Sequence, residues 1–486
     1  MSPLNLQDPE AAEQIAKALP ADAIEALTGQ RLGDLVRYAS ARSPFYRSRL
    51  GSLARAFLAE QPIGPDGVHS ADAEPVRRNL ALLPVVQLAE LARDGARVLT
   101  DPRVSVDQLR SLARNGRSSG RSICGGTAFR FVCGANATHD LFLPFNEDEW
   151  HEQTAALLHR TSVPAALTRP RRPRVVSFTS PHAAGGPERL LSKLGLWRRV
   201  RTKILHLPAT AGDADARRIY EFDPTTLWGP AGPVEVFASH VIANGWRTSV
   251  EWVVVPAGDL TRSRRALIQK AFPLAHVIAW LGASLGLPIA ASCLPHGTLH
   301  IVADHFIVEP VDRELRPVPM GVEGSDVLMT ALRLRTFPIL RVLLPFRARL
   351  LPSCPCGSAL PPLELEGHDG DLVWMADHRG DLVPVASGNI VERLKLLPGV
   401  ADAEAHLAPN GSLRVTFATN VGFRNDHVAA QVLTELNCAL RGWQNGARFR
   451  LTVEEVAEND ASFNRTLRPA LTEDHVVARP VLTEVK

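Results

Sequence analysis

Four residues in the second half of the chain carry the side chains that zinc prefers as ligands. Cys293 and His300 lie close together in the sequence, and Cys354 and Cys356 form a Cys-x-Cys pair further along. Thiolate and imidazole ligands in a set of four make a closed, tetrahedral structural site. We therefore predict a structural zinc ion bound by Cys293, His300, Cys354 and Cys356, which would close a long segment of chain.

Two other interpretations of these residues stay open. His296 or His305 could supply the nitrogen ligand in place of His300. The Cys-x-Cys pair could also consist of two reduced thiols in a proline-rich loop, with Cys293 buried for an unrelated reason. The residue types alone allow each of these arrangements.

A glycine- and serine-rich segment is the second candidate site. It reads RNGRSSGRSICGG over Arg114–Gly126. Hydroxyl and backbone N–H groups in such a loop can hold phosphate, and an arginine can add a guanidinium that pairs with phosphate through two hydrogen bonds. We predict nucleotide contacts here, although a solvated turn often has the same composition. The residues concerned are Ser118, Ser119, Gly120, Arg121 and Ser122.

Composition argues against several classes of protein. Lys+Arg 54 nearly balance Asp+Glu 51, so bulk charge favours neither nucleic acid nor an acidic membrane surface as a partner. Six cysteines in 486 residues do not make a disulfide framework. The N-terminus lacks the pattern of a secretory signal, and no apolar stretch reaches the roughly 18 residues of a membrane span. We expect a cytoplasmic protein.

The apolar patterns predict two kinds of domain that would position these residues. Residues 1–97 are expected to be largely helical and to lead into a core domain over 98–366. In the core, β-branched runs near Val175 and His276 alternate with helical patterns, which indicates a layered α/β domain. Residues 372–486 are expected to form a small α+β domain.

The small domain shows the order of a ferredoxin-like fold. NIVERLKLLPG predicts a helix, and ADAEAHLAP and NGSLRVTFAT predict two strands with a hairpin turn at Asn410-Gly411. HVAAQVLTELNCALRGW predicts a second helix, and ARFRLTVEEV predicts a closing strand. If the preceding VPV supplies an edge strand, the order is β-α-β-β-α-β.

A series of segments, taken in chain order, points to a known family. The series is YASARSPFYRSRL, LLPVVQLAEL, RNGRSSGRSICGG, EFDPTTLWGPAGPVEVFASH, VVVPAGDLTRSRRALIQKAF, VIAWLGASLGLPIAASC, LHIVADHFIVEPVD and CPCG. It resembles the phenylacetate–CoA ligase family of adenylate-forming enzymes. Each motif alone is weak, but their shared order covers nearly the whole chain. The resemblance implies a large adenylation domain and a small C-terminal lid domain.

The resemblance also implies a chemistry. Members of that family join a carboxylic acid, often aromatic, to AMP and then to coenzyme A. Such an enzyme needs a loop that holds the triphosphate, a carboxylate for Mg²⁺, a second carboxylate for the ribose hydroxyls, and a lysine near the acyl phosphate. ATP with Mg²⁺ and coenzyme A are therefore the implied cofactors, and a small carboxylic acid is the implied ligand.

The position of the family's aromatic-Gly-x-x-Glu motif departs from that pattern. It reads LGASL, from Leu281 to Leu285. Gly282 is kept and is expected to contact the nucleotide. The aromatic residue and the glutamate are both leucine here, and an aliphatic side chain cannot coordinate Mg²⁺. Trp280 is a possible substitute for the aromatic residue, and Asp259 could offer a carboxylate nearby.

The ribose and lysine positions differ as well. Arg341 of the ribose motif is kept, while Phe346 stands where a carboxylate is expected, and a phenyl ring accepts no hydrogen bond from a hydroxyl. The C-terminal tail offers Arg465 and Arg468 but no lysine before Lys486. Arg341, Arg465 and Arg468 are therefore only weak catalytic candidates.

Taken together, these residues predict a divergent homologue that keeps the fold. Its ATP-dependent acid activation would be weakened or lost, and it would bind an acyl or aryl ligand or a partner enzyme of a biosynthetic route. The alternative is an active AMP-forming acid–CoA or acid–amine ligase that uses substitute residues, with Arg121 on phosphate and another carboxylate on Mg²⁺.

Overall fold

The computed structural model describes most of the chain up to residue 368 and parts of the remainder. The described residues are 20–59, 80–109, 122–123, 126–133, 139–170, 172–179, 186–187, 190–191, 202–208, 211–260, 262–282, 286–344, 346–368, 372–376, 382–386, 394, 397, 399–407, 413–419, 424–442 and 451–455.

The helices include those predicted near the N-terminus and between the strands of the core. In chain order they are α1 Ala21–Arg42, α2 Pro44–Ala59, α3 Leu88–Arg93, α4 Gly95–Val98, α5 Glu147–Arg160, α6 Ala165–Thr168, α7 Asp213–Phe222, α8 Ala231–Asn244, α9 Arg262–Ala271 and α10 Asn425–Gly442. Among the described helices, none has the length and apolar character needed to cross a membrane.

The strands form several sheets. In chain order they are β1 Val86–Gln87, β2 Ser122–Ile123, β3 Gly126–Cys133, β4 His139–Phe145, β5 Arg174–Ser177, β6 Lys203–His206, β7 Thr226–Trp228, β8 Trp252–Pro256, β9 His276–Leu281, β10 Ala290–Ser292, β11 Leu299–Ile301, β12 Phe306–Val311, β13 Asp326–Ala331, β14 Ile339–Leu344, β15 Phe346–Leu350, β16 Pro362–His368, β17 Leu372–Ala376, β18 Leu382–Ala386, β19 Val400–Leu407, β20 Leu413–Thr419 and β21 Leu451–Glu455.

The chain divides into two compact units. The first contains Met1–Leu260 and Ile268–Leu365, and the second contains Thr261–Leu267 and Glu366–Lys486. The chain passes from the first unit to the second within β16.

A mixed nine-stranded sheet is the centre of the first unit. Its order is β15-β16-β11-β10-β9-β8-β7-β5-β6. Strands β6, β5, β7, β8 and β9 are parallel, and β10 and β11 continue the sheet antiparallel. Strand β8 reads WVVVP and is buried along its first four residues, which is why its apolar run is continuous rather than alternating. The strands predicted near Val175 and His276 are confirmed as β5 and β9.

A smaller sheet lies under the N-terminal helices. Its order is β1-β14-β13-β12, and its apolar residues share one core with α1 and α2. Tyr46 of α2 is buried in this core, where its hydroxyl donates to the carbonyl of Pro338 and accepts from the amide of Leu340. Burial of the Tyr46 phenol leaves no polar group unpaired, because its hydroxyl both donates and accepts a hydrogen bond. This core fixes the N-terminal helices on the sheet.

The second unit contains a three-stranded sheet and a hairpin. Strand β20 pairs antiparallel with β19 and parallel with β21, and α10 lies between β20 and β21 in the chain. The segment VPV considered as an edge strand of this sheet lies in β18, which pairs instead with β17. The helix predicted from NIVERLKLLPG and the turn at Asn410-Gly411 lie largely outside the described residues.

Candidate functional site

Neighbouring strands of the large sheet bring the Cys and His residues together. Cys293 begins the turn between β10 and β11, and His300 lies in β11 itself. Cys354 and Cys356 lie in the loop between β15 and β16, and β16 pairs with β11. Strand pairing therefore joins two loops that are distant in the sequence.

Each loop is shaped by a turn with a glycine in the left-handed region. The amide of Gly297, with φ +67°, donates to the carbonyl of Cys293. The amide of Gly357, with φ +74°, donates in the same way to the carbonyl of Cys354. Glycine adopts this conformation without the steric cost that a Cβ brings. The two turns direct the cysteines of both loops toward His300.

The four side chains converge closely enough to share one metal ion. One ligand atom from each lies within 4.8 Å of all the others. The Sγ atoms of Cys293 and Cys354 are 3.9 Å apart, and Cys356 Sγ is 3.3 Å from His300 Nε2. Zinc bonds of about 2.3 Å to sulfur and about 2.0 Å to nitrogen would separate two sulfurs by about 3.8 Å, and sulfur from nitrogen by about 3.5 Å. The Cys293–Cys354 and Cys356–His300 distances lie near those edges.

The imidazole of His300 is oriented for coordination through Nε2. Its Nδ1 atom lies 2.9 Å from the carbonyl oxygen of Leu360, and a carbonyl can only accept, so Nδ1 carries the proton. Nε2 then faces the thiols, and loss of its proton on metal binding would supply the coordinating lone pair. Metal-binding histidines commonly donate their other ring N–H to a backbone carbonyl in this way, which fixes the tautomer and the orientation of the ring.

The ionisation of the group is perturbed by its members. Burial alone would lower the pKa of His300, but hydrogen bonds to Cys293, Leu360 and Cys354 outweigh burial and raise the pKa to about 9. Burial would raise the pKa of Cys354, and hydrogen bonds from Cys356 and Thr298 reverse that effect and lower it. Burial raises the pKa of Cys356. Such opposed shifts in one small group are typical of a functional or metal site.

The alternative nitrogen ligands lie elsewhere. His296 is exposed, and His305 lies beside Asp304, with 3.9 Å between His305 Nε2 and Asp304 Oδ2. Asp304 also forms ion pairs with Arg31 and Arg160. The structure therefore selects His300 from the three histidines that the sequence left open, and it gathers all four predicted ligands.

A second candidate site lies at the carboxyl ends of the parallel strands. Strand β5 lies between β6 and β7 in the sheet. The chain therefore runs from β5 to its neighbour on one side, β6, and then crosses to its neighbour on the other side, β7. In open α/β sheets such a switch point leaves a crevice at the carboxyl ends of the strands, where ligands bind. We refer to the segments that follow β5, β7, β8 and β9 as the crevice. They are Phe178–Thr179, Gly229–Pro230, Ala257–Asp259 and Gly282.

Glycines let the crevice segments approach closely. Gly229 has φ +139°, and a Cβ there would lie 2.8 Å from the Cβ of Phe178. The amide of Phe178 donates to the carbonyl of Trp228, which ties the ends of β5 and β7 together. A glycine directly after a short buried strand, as in TLWG, is the sequence signal that would have identified this position.

Phe346 lies against the crevice. Its Cε1 atom is 3.5 Å from the point where a Cβ on Gly258 would stand, and its ring is partly buried. The neighbouring Asp259 brings a partly buried carboxylate to the same strand end. The position that the resemblance assigns to a ribose-binding carboxylate is therefore a phenyl ring packed on a strand-end loop.

Gly282 and Trp280 have clear structural roles. Gly282 has φ +95°, and a Cβ there would lie 2.4 Å from the carbonyl oxygen of Leu287. The amide of Leu287 donates to the carbonyl of Gly282, and the indole of Trp280 donates to the carbonyl of Leu287. Trp280 is 1% exposed within the core, so the expectation that it could stack on adenine is wrong. The glycine at 282 is required by the turn itself.

Arg341 is held inside the small sheet. It is 3% exposed, and its Nε and Nη2 atoms donate to the Glu309 carboxylate at 3.3 Å and 3.4 Å. Its Nη1 atom donates to the carbonyl of Leu83 at 2.6 Å, and its amide donates to Thr330 Oγ1. The charge of Arg341 is thus matched by buried protein groups.

The remaining predicted site residues are mostly outside the described part of the chain. Ser122 begins the short strand β2. The others are Ser118, Ser119, Gly120, Arg121, Leu285, Arg465 and Arg468.

Solved structures provide the comparison for this architecture. The chain is similar to 2-hydroxyisobutyryl-CoA ligase in its postadenylation state with R3-HIB-AMP, at 16% identity over 94% of this chain and 92% of that chain, with a TM-score of 0.65. An open conformation of that ligase, with 2-HIB-AMP and CoA, matches at 16% identity over 94% and 91%, with a TM-score of 0.56. The chain has the adenylate-forming ligase fold. Comparisons with protein-family models and with curated proteins gave no match.

Proposed function

We propose that the protein binds a small carboxylic acid or acyl ligand in the crevice, on an adenylate-forming scaffold whose ATP-dependent activation of that acid is weak or lost. The observation that carries this proposal is Phe346 against Gly258. A phenyl ring adds apolar surface to the crevice and removes an acceptor for ribose hydroxyls, which leaves buried hydroxyls of a nucleotide without partners.

The buried contacts of Arg341, the residue kept from the ribose motif, support the same proposal. Arg341 is bound to Glu309 and to the carbonyl of Leu83, so a nucleotide would have to break buried hydrogen bonds to use it. Leaving Glu309 buried and unpaired would cost about 3–5 kcal/mol. A partner enzyme in a biosynthetic route stays a prediction of the sequence.

A structural zinc ion is the second part of the proposal. Cys293, His300, Cys354 and Cys356 would hold it, with His300 coordinating through Nε2. Four protein ligands leave no open position for water or substrate, so the ion would stabilise the two loops and take no part in the acid chemistry.

Pyrophosphate release tests the first part. Purified protein is incubated with ATP, Mg²⁺ and a panel of aryl and alkyl acids, with and without coenzyme A, beside an active acid–CoA ligase as a positive control. We expect acid binding, seen as thermal stabilisation by one or more acids, with pyrophosphate release near the background. Robust acid-dependent release of pyrophosphate would overturn the proposal.

An active ligase is the alternative, and Asp259 is the residue that favours it. Its partly buried carboxylate lies at the carboxyl end of β8 beside Gly258, where it could serve a metal ion that accompanies ATP. If the wild type does release pyrophosphate, Asp259→Asn should lower the rate strongly. Asp215→Asn on α7 is not a suitable control, because Asp215 is partly buried and accepts a hydrogen bond from the amide of Gly212. Asp148→Asn, an exposed change in α5, is the better control.

A further inference from the structure

The thiols of the metal centre are arranged for a second reaction besides coordination. We infer that Cys293 and Cys354 form a reversible disulfide with a peroxide-class oxidant and release the metal when they do. This inference rests on the zinc part of the proposed function and is independent of any chemistry in the crevice. It makes the centre an oxidant-sensitive modification site.

The distance between Cys293 and Cys354 puts the two sulfurs within reach of each other. The Sγ atoms of Cys293 and Cys354 are 3.9 Å apart, so a combined movement of about 1.9 Å brings them to the disulfide length of about 2.05 Å. Cys356 Sγ instead lies 3.3 Å from His300 Nε2 and is engaged there. A bond between Cys354 and Cys356 would have to close a small ring across a single residue.

The solvent exposure of the thiols indicates which one reacts with the oxidant first. Cys293 is partly exposed, while Cys354 is 8% exposed. Cys356 is partly exposed as well, but it lies against His300 Nε2, so Cys293 is the accessible member of the close sulfur pair. A small peroxide reaches Cys293 first within that pair, and the thiol that resolves the product lies beside it but away from solvent. This is the arrangement of a redox-sensitive cysteine next to a resolving cysteine.

The reaction balances with the peroxide as the oxidant. The Cys293 thiolate attacks the O–O bond of hydrogen peroxide, which gives a sulfenic acid and hydroxide. The Cys354 thiolate then attacks the sulfenic sulfur and displaces a second hydroxide, and the S–S bond forms. Two thiolates lose two electrons in total, the peroxide is reduced to two hydroxides, and these take up two protons as water. The zinc ion loses two of its four ligands and dissociates.

Loss of the metal has a defined structural consequence. Cys293 belongs to the loop between β10 and β11, and Cys354 belongs to the loop between β15 and β16. A disulfide keeps these loops joined covalently, whereas Cys356 and His300 lose their common partner. A reductant together with zinc would restore the original centre, so the change is reversible.

The test uses the zinc-loaded full-length protein. Hydrogen peroxide is titrated in, and three quantities are followed: zinc released to a chromogenic chelator, thiols counted in denaturant, and disulfides mapped by mass spectrometry after alkylation. We expect one equivalent of zinc released for each two thiols lost, a disulfide mapped to Cys293 and Cys354, and recovery of both thiols and zinc binding after dithiothreitol and zinc are added.

Variants separate this reaction from general oxidation. Cys356→Ser should still form the Cys293–Cys354 disulfide, whereas Cys293→Ser should not. If a variant does not fold, the mapping on the wild type decides alone. A disulfide mapped to Cys354 and Cys356, zinc retained while the two thiols are oxidised, or protein that takes up no zinc would each overturn the inference. A negative pyrophosphate assay would not affect it.

Discussion

The candidate metal centre and the crevice lie on the same large sheet, and they differ in the side chains that they bring together. At the candidate metal centre, three thiols and an imidazole converge within 4.8 Å, and His300 Nδ1 donates a hydrogen bond to the carbonyl of Leu360. At the crevice, a phenyl ring packs on Gly258 and the best placed carboxylate is that of Asp259. The first group offers the ligand types that zinc prefers, and the second has a phenyl ring where the family resemblance predicts a carboxylate.

The difference shows how retained and altered parts of a scaffold can be separated. Three thiols and an imidazole within 4.8 Å of one another are the ligand types that zinc prefers, and thiols packed together without a metal gain little from one another. The paired charges of Arg341 and Glu309 illustrate a third case, in which a polar cluster is complete without any ligand. Clusters that are complete in themselves are structural, and clusters that are incomplete indicate what they bind.

The largest effect should come from removing two ligands of the centre. Cys354→Ser/Cys356→Ser should abolish zinc binding and lower the free energy of unfolding by on the order of 5 kcal/mol, because the binding energy of a structural zinc ion is folding energy. Elemental analysis and thermal unfolding measure both. Ser353→Ala, an exposed change in the same loop, is the control and should alter neither. Unchanged metal content in the double variant would show that Cys354 and Cys356 do not bind the metal.

Breaking the self-contained ion pair should have the next largest effect. Arg341→Met leaves the Glu309 carboxylate buried without its partner and should cost about 3–5 kcal/mol in urea unfolding. The double variant Arg341→Met/Glu309→Leu should recover much of this loss, since it removes both charges. If the single variant leaves the free energy of unfolding unchanged while ligand binding disappears, Arg341 belongs to the ligand site and is not a purely structural ion pair.

The turn at the end of β9 provides a smaller and sharper test of the crevice. Gly282→Ala should cost on the order of 3 kcal/mol, because the added Cβ meets the carbonyl of Leu287 at 2.4 Å and the φ of +95° is unfavourable for alanine. Gly232→Ala in α8 is the matched control: its Cβ meets nothing within 4 Å, and alanine favours helix, so stability should stay or rise slightly. Equal losses in both variants would contradict the role assigned to the turn.

The smallest effect concerns the pH dependence of the Asp304 cluster. Burial lowers the pKa of His305 to about 4, and Asp304, Arg31 and Arg160 are the charged groups that act on it. The folded protein then keeps His305 neutral while the unfolded chain takes up a proton below about 6.5, so this contribution to stability is complete above pH 6.5 and is lost as the pH falls toward 4. Urea unfolding between pH 7 and 4.5 measures it, and the slope should be shallower in His305→Gln. An identical slope in both proteins would show that His305 titrates normally.

Much of the fold was open to prediction from the sequence. The continuous apolar run of β8, the amphipathic pattern of α5 and the apolar helical pattern of α8 are local signals that tertiary contacts reinforce. The pairing of β18 with β17 was not predictable, because VPV has the same local pattern whichever strand it joins. The role of Trp280 was not predictable for a similar reason. A tryptophan near the end of a strand has the same local sequence whether its ring faces a ligand or the core.

The sequence by itself determined the chemistry available to this protein: soft ligands in one region, and aliphatic or aromatic residues where carboxylates were expected. Tertiary structure alone decided which groups meet. His300 joins the cysteines, and His296 and His305 do not, because β11 pairs with β16 and so sets the Cys354 loop beside one histidine. Ligand type is a property of the residue, whereas convergence depends on strand pairing between segments that are distant in the chain.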